Sequence, residues 1–379
     1  MTQRRRLQTQ REKSRDLGML DVPYLILTLL LVAVGLIMLF SASYARAYYL
    51  TGNSARYFTS QLVFAALGTV VMLLVSRVPY RWYEKCNWLI LAAATVLLVL
   101  VLVIGTNSNG ATRWINLGFM SLQPSEIAKF SLVVYLAAML DKYQANARSV
   151  PVFLICVLPL AVFAVLLKLE PHFSAIIILC MLTGVLLFVG GANRKCLIVV
   201  AVLAAAALAA LLLSGGYTSD RIMAWRDPEH YASDEGYQIL QSEYAIGSGG
   251  LLGLGFGKGR QKYLYLPEEH NDYIFSIVCE ELGYVGAVAI LILFALLICR
   301  GYWIAAHSPD RYSFLVGVGI TTLLSIQVFL NIAVVTNLIP CTGISLPFFS
   351  YGGTALLMQL GEMGIILSIS RDIPTKKAR

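Results

Sequence analysis

One stretch of this chain concentrates side chains that could do acid–base chemistry. Residues 263–286 read YLYLPEEHNDYIFSIVCEELGYVG and contain five carboxylates, Glu268, Glu269, Asp272, Glu280 and Glu281. The first three precede an apolar run and the last two fall inside it. Carboxylates at membrane depth are costly and usually functional, and a positioned carboxylate can take a proton from a reacting hydroxyl. Glu280 and Glu281 could line a cavity, or could instead pair with a buried base or remain protonated.

A second set of charged residues lies in the segment ATRWINLGFMSLQPSEIAKF, residues 111–130. Glu126 and Lys129 are three residues apart after a proline that favours a helix start, so they lie on one helix face and can form an ion pair. The pair could serve a site or could simply hold two helices together. Arg113 precedes Trp114 and could bind a phosphate in bidentate fashion, or anchor the chain at the membrane interface.

Two glycine-rich segments are further candidates. The run GSGGLLGLGFGKGRQK, residues 247–262, follows no predicted strand, which disfavours a nucleotide site. Its amides could instead meet an anionic headgroup, together with Lys258, Arg260 and Lys262. The run TGISLPFFSYGGT, residues 342–354, includes Ser350, Gly352 and Gly353 and could line a cavity or form an ordinary outer loop.

Glu170 and His172 form a smaller polar pair in the sequence EPHFS, residues 170–174. They are predicted to lie where one helix ends at a proline and the next begins. A lone histidine at such a place is more often a satisfied interfacial residue than a catalyst. No Ser/His/Asp arrangement is predicted anywhere in the chain.

The elements that carry these groups are helices in a membrane. The chain has 379 residues, of which 58% are hydrophobic and only 13% are charged, whereas soluble domains have about 25% charged residues. The net charge of +8 arises from short stretches between apolar runs, which argues against nucleic acid as a partner. Seven cysteines without metal-ligand spacing predict neither a disulfide framework nor a zinc site. The predicted fold class is an all-α polytopic membrane protein.

Ten transmembrane helices are predicted, because a span of the hydrocarbon core takes about 20 apolar residues. They cover residues 21–43, 60–77, 86–104, 123–140, 151–168, 172–190, 195–214, 273–299, 312–336 and 353–370. The membrane domain is thus residues 21–371, between a basic tail of residues 1–20 and a tail of residues 372–379.

Lysine and arginine set the orientation of these spans. With the N-terminus inside, 19 of the basic residues lie in inner segments and 9 in outer ones, as the positive-inside rule requires. Both termini are therefore predicted to be cytoplasmic. The long loop of residues 214–272 then faces outward, and its many aromatic residues predict that it is ordered.

Four of these segments together resemble the SEDS family (shape, elongation, division and sporulation proteins, including FtsW, RodA and SpoVE). The matching strings are RWINLG with QPSEIAKF, AIGSGGLLGLGFGKG, LPEEHNDYIFSIVCEELGYVG and SLPFFSYGGT. They occur in the family's order, and the resemblance covers essentially residues 20–371. The N-terminal span and the ending SISR are closer to the FtsW and SpoVE branches than to the elongation branch.

The resemblance implies a peptidoglycan glycosyltransferase of the bacterial cell membrane that polymerises lipid II. It implies that Asp272 is the catalytic acid residue, that Glu126 and Lys129 line a central cavity, and that Arg113 lies nearby. The leaving diphosphate would be bound by cations among Arg113, Lys129, Lys258, Arg260 and Lys262, with Mg²⁺ or Mn²⁺ as a possible aid.

The resemblance also implies partners: a class B penicillin-binding protein (a transpeptidase) and other division proteins. One departure is His172, where many relatives have an aspartate. A lipid II flippase and an elongation-type polymerase remain alternative functions. A transporter should hold its coupling site near the bilayer midplane.

Overall fold

The structure is a computed structural model that describes residues 19–108, 111–118, 120–200, 202, 217–233 and 235–373. Within these residues the chain is mainly helical. Its first half contains α1 (Val22–Thr51), α2 (Arg56–Val75), α3 (Arg81–Lys85), α4 (Asn87–Ile104), α5 (Pro124–Lys142), α6 (Val150–Leu169) and α7 (Phe173–Val189). Its second half contains α8 (Tyr217–Arg226), α9 (Glu235–Gly249), α10 (Ile274–Ala306), α11 (Arg311–Val335) and α12 (Gly353–Arg371).

Seven helices of the described residues are long and apolar enough to cross a membrane, namely α1, α2, α4, α6, α10, α11 and α12. The prediction of a multi-pass helical membrane protein is confirmed. Helices also occupy the predicted fourth and sixth spans, but α5 is not among the seven and α7 has only 17 residues. The predicted seventh span, 195–214, lies mostly outside the described residues, as do residues 1–18 and 374–379 of the two predicted tails.

The core of the bundle is formed by α5 and α11. In the most apolar 18-residue stretch of α11, 83% of the residues are buried inside the protein, whereas the corresponding value for α2 is 22%. The exposed surface of α2 suits contact with lipid. Close approach of α10 and α11 depends on small residues: a Cβ at Gly301 would lie 2.7 Å from Thr321 Oγ1. Helices in membranes commonly associate through such small side chains.

The prediction of an all-α chain missed a small antiparallel sheet between α4 and α5. Strands β1 (Thr106–Ser108), β2 (Ala111–Asn116) and β3 (Ser121–Leu122) pair in the order β1-β2-β3. The strands are too short, and β2 too mixed in character, for alternation to reveal them in the sequence. The sheet is joined to the bundle by Thr354, whose hydroxyl donates a hydrogen bond to Ser121 O at 3.0 Å.

The described part of the predicted long loop contains two helices, α8 and α9. Helices α8 and α9 pack on the bundle through polar contacts as well as apolar ones. Trp225 Nε1 donates to Asn337 O at 2.9 Å, and Ser242 Oγ donates to Val335 O at 2.8 Å. These contacts tie α8 and α9 to the C-terminal end of α11, next to the segment that precedes α10.

Helix α10 is interrupted at Gly283, where the backbone adopts φ 65° and ψ −169°. The glycine-rich segment of residues 250–255 inserts at this break. Tyr284 N donates to Gly250 O at 3.0 Å and Val285 N donates to Leu251 O at 3.1 Å. These two amides would otherwise bind the carbonyls of residues 280 and 281 in a continuous helix.

Those two carbonyls are satisfied by the inserted segment. Leu254 N donates to Glu280 O and Gly255 N to Glu281 O, each at 3.0 Å. Two glycines permit the close approach, since a Cβ at Gly283 would lie 2.2 Å from Gly253 N. We call residues 250–262 together with residues 280–285 the glycine junction.

Candidate active site

A cavity of about 1090 Å³ opens among the helices next to the start of α10. Its volume is at the upper end of the range for small-molecule sites. We call it the central cavity. Its lining includes the predicted site residues Arg113, Glu126, Lys129, Asp272, Gly352 and Gly353. It also includes Glu268, from the same stretch as Asp272, and Gln327 on α11. Further polar lining residues were not singled out in the sequence: Arg46, Arg56, Tyr57, Arg221, Gln238, His270 and Tyr351.

Asp272 is held at the wall of the central cavity by hydrogen bonds to its backbone. Asn331 of α11 donates its side-chain amide to Asp272 O and to Ile344 O, both at 2.7 Å. The carboxylate lies close to Gly343, where a Cβ would come within 3.2 Å of Asp272 Oδ2. The backbone of residue 272 is therefore fixed by α11, and the segment before α12 leaves room for its side chain.

The residues just before Asp272 are bound to the segment that contains Ser350. Ser350 Oγ donates to Asn271 O at 2.8 Å, and Tyr351 N donates to His270 O at 2.9 Å. Ser350 does not line the central cavity. Through these hydrogen bonds the SLPFFSYGGT segment supports the backbone of residues 270–272.

The protein environment makes Asp272 a weaker acid than an ordinary aspartate. Burial raises the pKa of Asp272 to about 6, and the nearby Glu268 carboxylate acts in the same direction. The guanidinium groups of Arg113 and Arg221 oppose the shift. A carboxylate with a pKa near 6 is ionised at neutral pH and is a stronger base than an ordinary aspartate, as general base catalysis requires.

Two basic residues, Arg113 and Lys129, line the side of the central cavity that is formed by β2 and α5. Lys129 Nζ donates to Glu126 Oε1 at 2.7 Å, which confirms the predicted i,i+3 pair. Both side chains are nearly buried, with the Lys129 residue 3% exposed. Arg113, on β2, donates a hydrogen bond to the carbonyl of Pro171. The sheet missed by the sequence analysis therefore places a guanidinium over the cavity.

Three other charged residues that were predicted for the site, Lys262, Glu280 and Glu281, are buried in the glycine junction. Lys262 is completely buried, and its Nζ lies 2.5 Å from Glu281 Oε1 and 3.1 Å from Ser41 Oγ. Glu280 Oε1 accepts hydrogen bonds from the amides of Arg260 (2.6 Å) and Gln261 (3.2 Å). Pairing with a buried base, one of the alternatives left open by the sequence, thus describes Glu281.

None of the basic residues of the glycine junction lines the central cavity. Lys258 and Arg260 are exposed at the surface, and the Lys262 charge is balanced inside the protein. Glu280 and Glu281 do not line the cavity either. The structure therefore does not support the expectation that Lys258, Arg260 and Lys262 bind a substrate in this cavity.

Comparison with known proteins identifies the family. The family model of cell cycle proteins named for FtsW, RodA and SpoVE matches residues 22–374. The chain belongs to this family. The predicted SEDS resemblance is confirmed, since SEDS is the group that these three proteins define.

Curated relatives cover nearly the whole chain. Stage V sporulation protein E of Bacillus subtilis is 39% identical over 354 residues, covering 93% of this chain and 97% of the relative. The probable peptidoglycan glycosyltransferase FtsW of Coxiella burnetii is 38% identical over 358 residues, covering 93% and 96%. These names agree with the predicted closeness to the FtsW and SpoVE branches.

Solved structures share the fold of this family member. A chain from a peptidoglycan synthase complex, described as coordinating polymerization and crosslinking, matches with a TM-score of 0.80 at 27% identity and covers 94% of this chain and 99% of its own. The rod shape determining protein RodA of Thermus thermophilus matches with a TM-score of 0.71 at 28% identity, covering 94% and 98%.

No set of three or more His, Cys, Asp and Glu side chains in the described residues is arranged to hold a metal ion. The carboxylates near Asp272 are instead mixed with arginines and a histidine. The described residues therefore offer no set of ligands to which the predicted Mg²⁺ or Mn²⁺ could be assigned.

Sequence reasoning missed several cavity residues because their signals are weak. Arg46 and Arg56 lie at the end of α1 and the start of α2, where a basic residue is usual at a membrane boundary. Gln327, within α11, is a cavity residue that the sequence did indicate, since polar residues in a span usually face the protein interior.

Proposed function

We propose that this protein is a peptidoglycan glycosyltransferase that polymerises lipid II into β-1,4 glycan strands and releases undecaprenyl diphosphate, in septum synthesis for division or sporulation. The observation that carries the proposal is the Asp272 carboxylate at the wall of the central cavity, opposite cationic side chains. Curated family members named probable peptidoglycan glycosyltransferases support it.

The proposed reaction joins two lipid-linked sugars. The 4-hydroxyl of a GlcNAc attacks the anomeric carbon of a MurNAc, and a C–O bond forms on the opposite face from the breaking C–O bond to the diphosphate. Asp272 accepts the hydroxyl proton as the bond forms, which is general base catalysis worth about 10²–10⁴-fold. The undecaprenyl diphosphate leaves with the electron pair of the broken bond.

The departing diphosphate needs positive charge beside it. Arg113 and Lys129 are the proposed ligands, because both line the central cavity and a guanidinium suits bidentate binding of phosphate oxygens. Glu126 balances the Lys129 charge until the anion arrives. Lys258, Arg260 and Lys262 do not line the cavity and are not among the proposed ligands.

The proposal includes a topology of ten spans with both termini in the cytoplasm. It locates Asp272 and the loop of residues 214–272 at the outer face of the cell membrane, where a translocated lipid II would present its sugar. The distribution of basic residues supports this orientation. The proposed partner is a class B penicillin-binding protein, with other division proteins, as the similarity to a chain of a peptidoglycan synthase complex suggests.

The test is polymerisation of labelled lipid II by the purified full chain in a bilayer, with and without its transpeptidase. Asp272→Ala should abolish the glycan product while the protein remains folded. Asp227→Ala, which changes an exposed loop aspartate, is the matched control. Near-normal product from Asp272→Ala would remove Asp272 from the mechanism.

A flippase remains the second candidate because Glu126, Lys129 and Gln327, all within the predicted spans, line the cavity. The same bilayer experiment separates the two functions. Movement of labelled lipid II between leaflets without polymer would favour the transporter, whereas polymer without movement would favour the glycosyltransferase.

A further inference from the structure

Arg56, at the start of α2, is a basic residue of the central cavity to which the proposed reaction gives no role. It lines the cavity and its side chain is exposed. No ion pair joins its guanidinium to any residue that the structure describes. Arg46, which also lines the cavity, is instead paired with Glu269 at 3.1 Å. Arg56 therefore brings to the cavity a positive charge that is paired with none of the described carboxylates.

The residues of α2 that line the cavity lie on one face of this helix. Arg56, Ser60 and Phe64 are spaced four residues apart, and Tyr57 lines the cavity beside Arg56. Ser60 and Tyr57 add hydroxyl groups next to the guanidinium. A guanidinium binds phosphate oxygens in bidentate fashion, so this face of α2 matches a phosphate or diphosphate group.

The position of Arg56 indicates that the ligand is attached to a lipid. Helix α2 exposes apolar side chains along its length, including Val63 (57% exposed) and Leu67 (51%). Leu50, at the end of α1, is 57% exposed and also lines the cavity. The cavity thus meets the lipid-facing surface of the protein beside Arg56, where an isoprenoid chain lying on α2 would place its diphosphate.

The α2 side of the cavity is separate from the side that carries Arg113 and Lys129. Helix α2 packs mainly on α1 and α12, whereas α5 packs mainly on α4 and α11. The segment before α10 meets the α2 side through His270, whose ring lies 4.8 Å from that of Tyr57. It meets the other side through the carboxylate of Asp272, which interacts with Arg113. The carboxylate of Asp272 therefore lies between two basic sides of one cavity.

We propose that Arg56, with the hydroxyl groups of Tyr57 and Ser60, binds the diphosphate of the acceptor, which is the lipid-linked sugar whose 4-hydroxyl attacks. In the proposed reaction the acceptor keeps its diphosphate, while that of the other sugar leaves beside Arg113 and Lys129. The attacking hydroxyl must approach from the face opposite the leaving group, and the α2 side provides that direction. The volume of the cavity gives room for parts of two sugars. This inference rests on the proposed function for the identity of the reactants.

The test measures the coupling of two lipid II analogues that cannot exchange roles. A labelled analogue with 4-deoxy-GlcNAc can only lose its diphosphate, and an analogue with a methylene group in place of the anomeric oxygen can only act as acceptor. We expect Arg56→Gln to raise KM for the acceptor about tenfold, as loss of a charge-assisted hydrogen bond implies, and to leave KM for the labelled analogue unchanged. Arg56→Lys should recover part of the loss, because it restores the charge without the bidentate geometry.

A third analogue shows whether Arg56 acts on the diphosphate. With a neutral alkyl glycoside of the same disaccharide as acceptor, wild type and Arg56→Gln should have equal KM. Arg77→Gln is the matched control protein, because Arg77 is exposed at the other end of α2 and does not line the cavity. It should match the wild type with every analogue. An unchanged KM for the charged acceptor in Arg56→Gln, or an equal rise with the neutral one, would overturn the subsite.

Binding of a diphosphate that does not react separates this inference from the proposed function. Farnesyl diphosphate, titrated into the full chain in detergent micelles, should occupy two sites in the wild type and one in Arg56→Gln, with farnesol as the control for the lipid chain. A wild type that polymerises lipid II while Arg56→Gln keeps both sites would refute the inference and leave the function intact. A wild type that shows both sites, of which Arg56→Gln loses one, yet makes no polymer, would refute the function and leave the anion site at Arg56.

Discussion

The central cavity and the glycine junction both contain carboxylates beside basic groups, but the two regions differ in how far these groups are satisfied by other parts of the protein. In the junction all four carboxylate oxygens of Glu280 and Glu281 accept hydrogen bonds, from Ser41, Lys262 and backbone amides. In the cavity, Asp272, Arg113 and Lys129 line an open space of about 1090 Å³. Buried charge that is satisfied internally supports the fold, whereas charged side chains that line an open cavity can meet a ligand.

Removing the lysine of the junction should produce the largest effect on stability. Lys262→Met leaves Glu281 buried without a counter-charge, and breaking a buried pair in this way costs about 3–5 kcal/mol. Thermal unfolding in detergent should show a much lower Tm, and the double variant Lys262→Met/Glu281→Gln should recover most of it.

Lys258→Met is the matched control for that experiment, because Lys258 is exposed in the same segment. It should unfold at the wild-type temperature. If Lys262→Met were as stable as Lys258→Met but failed to bind a diphosphate, the structural role of Lys262 would be contradicted, and the glycine junction would be a ligand site instead.

A methyl group at the break in α10 should have the next largest effect. Gly283→Ala forces a non-glycine residue to adopt φ 65° and puts its Cβ 2.2 Å from Gly253 N. The strain alone costs about 1–3 kcal/mol, so the Tm should fall. Gly184→Ala, in an open position of α7, should unfold no earlier than the wild type; a similar response of both variants would contradict the tight packing of the junction.

Loosening Asp272 should lower activity more than stability. Asn331→Ala removes the amide that holds the carbonyls of Asp272 and Ile344. We expect kcat for polymerisation to fall about tenfold with little change in KM, because misplacement of a catalytic group by a fraction of an ångström is costly. Asn193→Ala is the control, since Asn193 donates its side-chain amide to Arg148 O in an exposed contact between two connections; equal kcat in the two variants would argue against this positioning role.

The smallest expected effect is a shift in pH dependence. Asp272 must be ionised to act as a base, so kcat/KM should fall as the pH drops below about 6, where its carboxylate takes up a proton. Glu268→Gln removes a neighbouring negative charge, lowers the pKa of Asp272 and should move this limb to lower pH. Glu229→Gln, in an exposed turn, should leave it in place; an upward shift in Glu268→Gln would contradict the electrostatic argument.

Local patterns in the sequence predicted the parts of the site that depend on neighbours along the chain. The proline before Glu126 predicted the start of α5, and the spacing of Glu126 and Lys129 predicted their ion pair. Both of these inferences needed only a few consecutive residues. Asp272 was one of five carboxylates in the stretch 263–286, and the resemblance to the SEDS family, carried by four separate segments, singled it out.

Contacts between distant segments could not be predicted in this way. Lys262 was expected to face a substrate, because nothing nearby in the sequence shows that Ser41 and Glu281 surround it. The support of Asp272 by Asn331 joins residues 59 positions apart. Arg56 was counted only as a basic residue at the end of a span, since its place at the cavity becomes apparent only in the structure.

The exchange of hydrogen bonds at Gly283 has a consequence for motion. The backbone amides of residues 284 and 285 donate hydrogen bonds to carbonyls of the glycine-rich segment, while the amides of residues 254 and 255 donate to carbonyls of α10. Neither segment can open without exposing the other, so these four amides should exchange with deuterated solvent as one cooperative unit. The interruption in α10 therefore fixes the glycine-rich segment to the helix and does not act as a hinge.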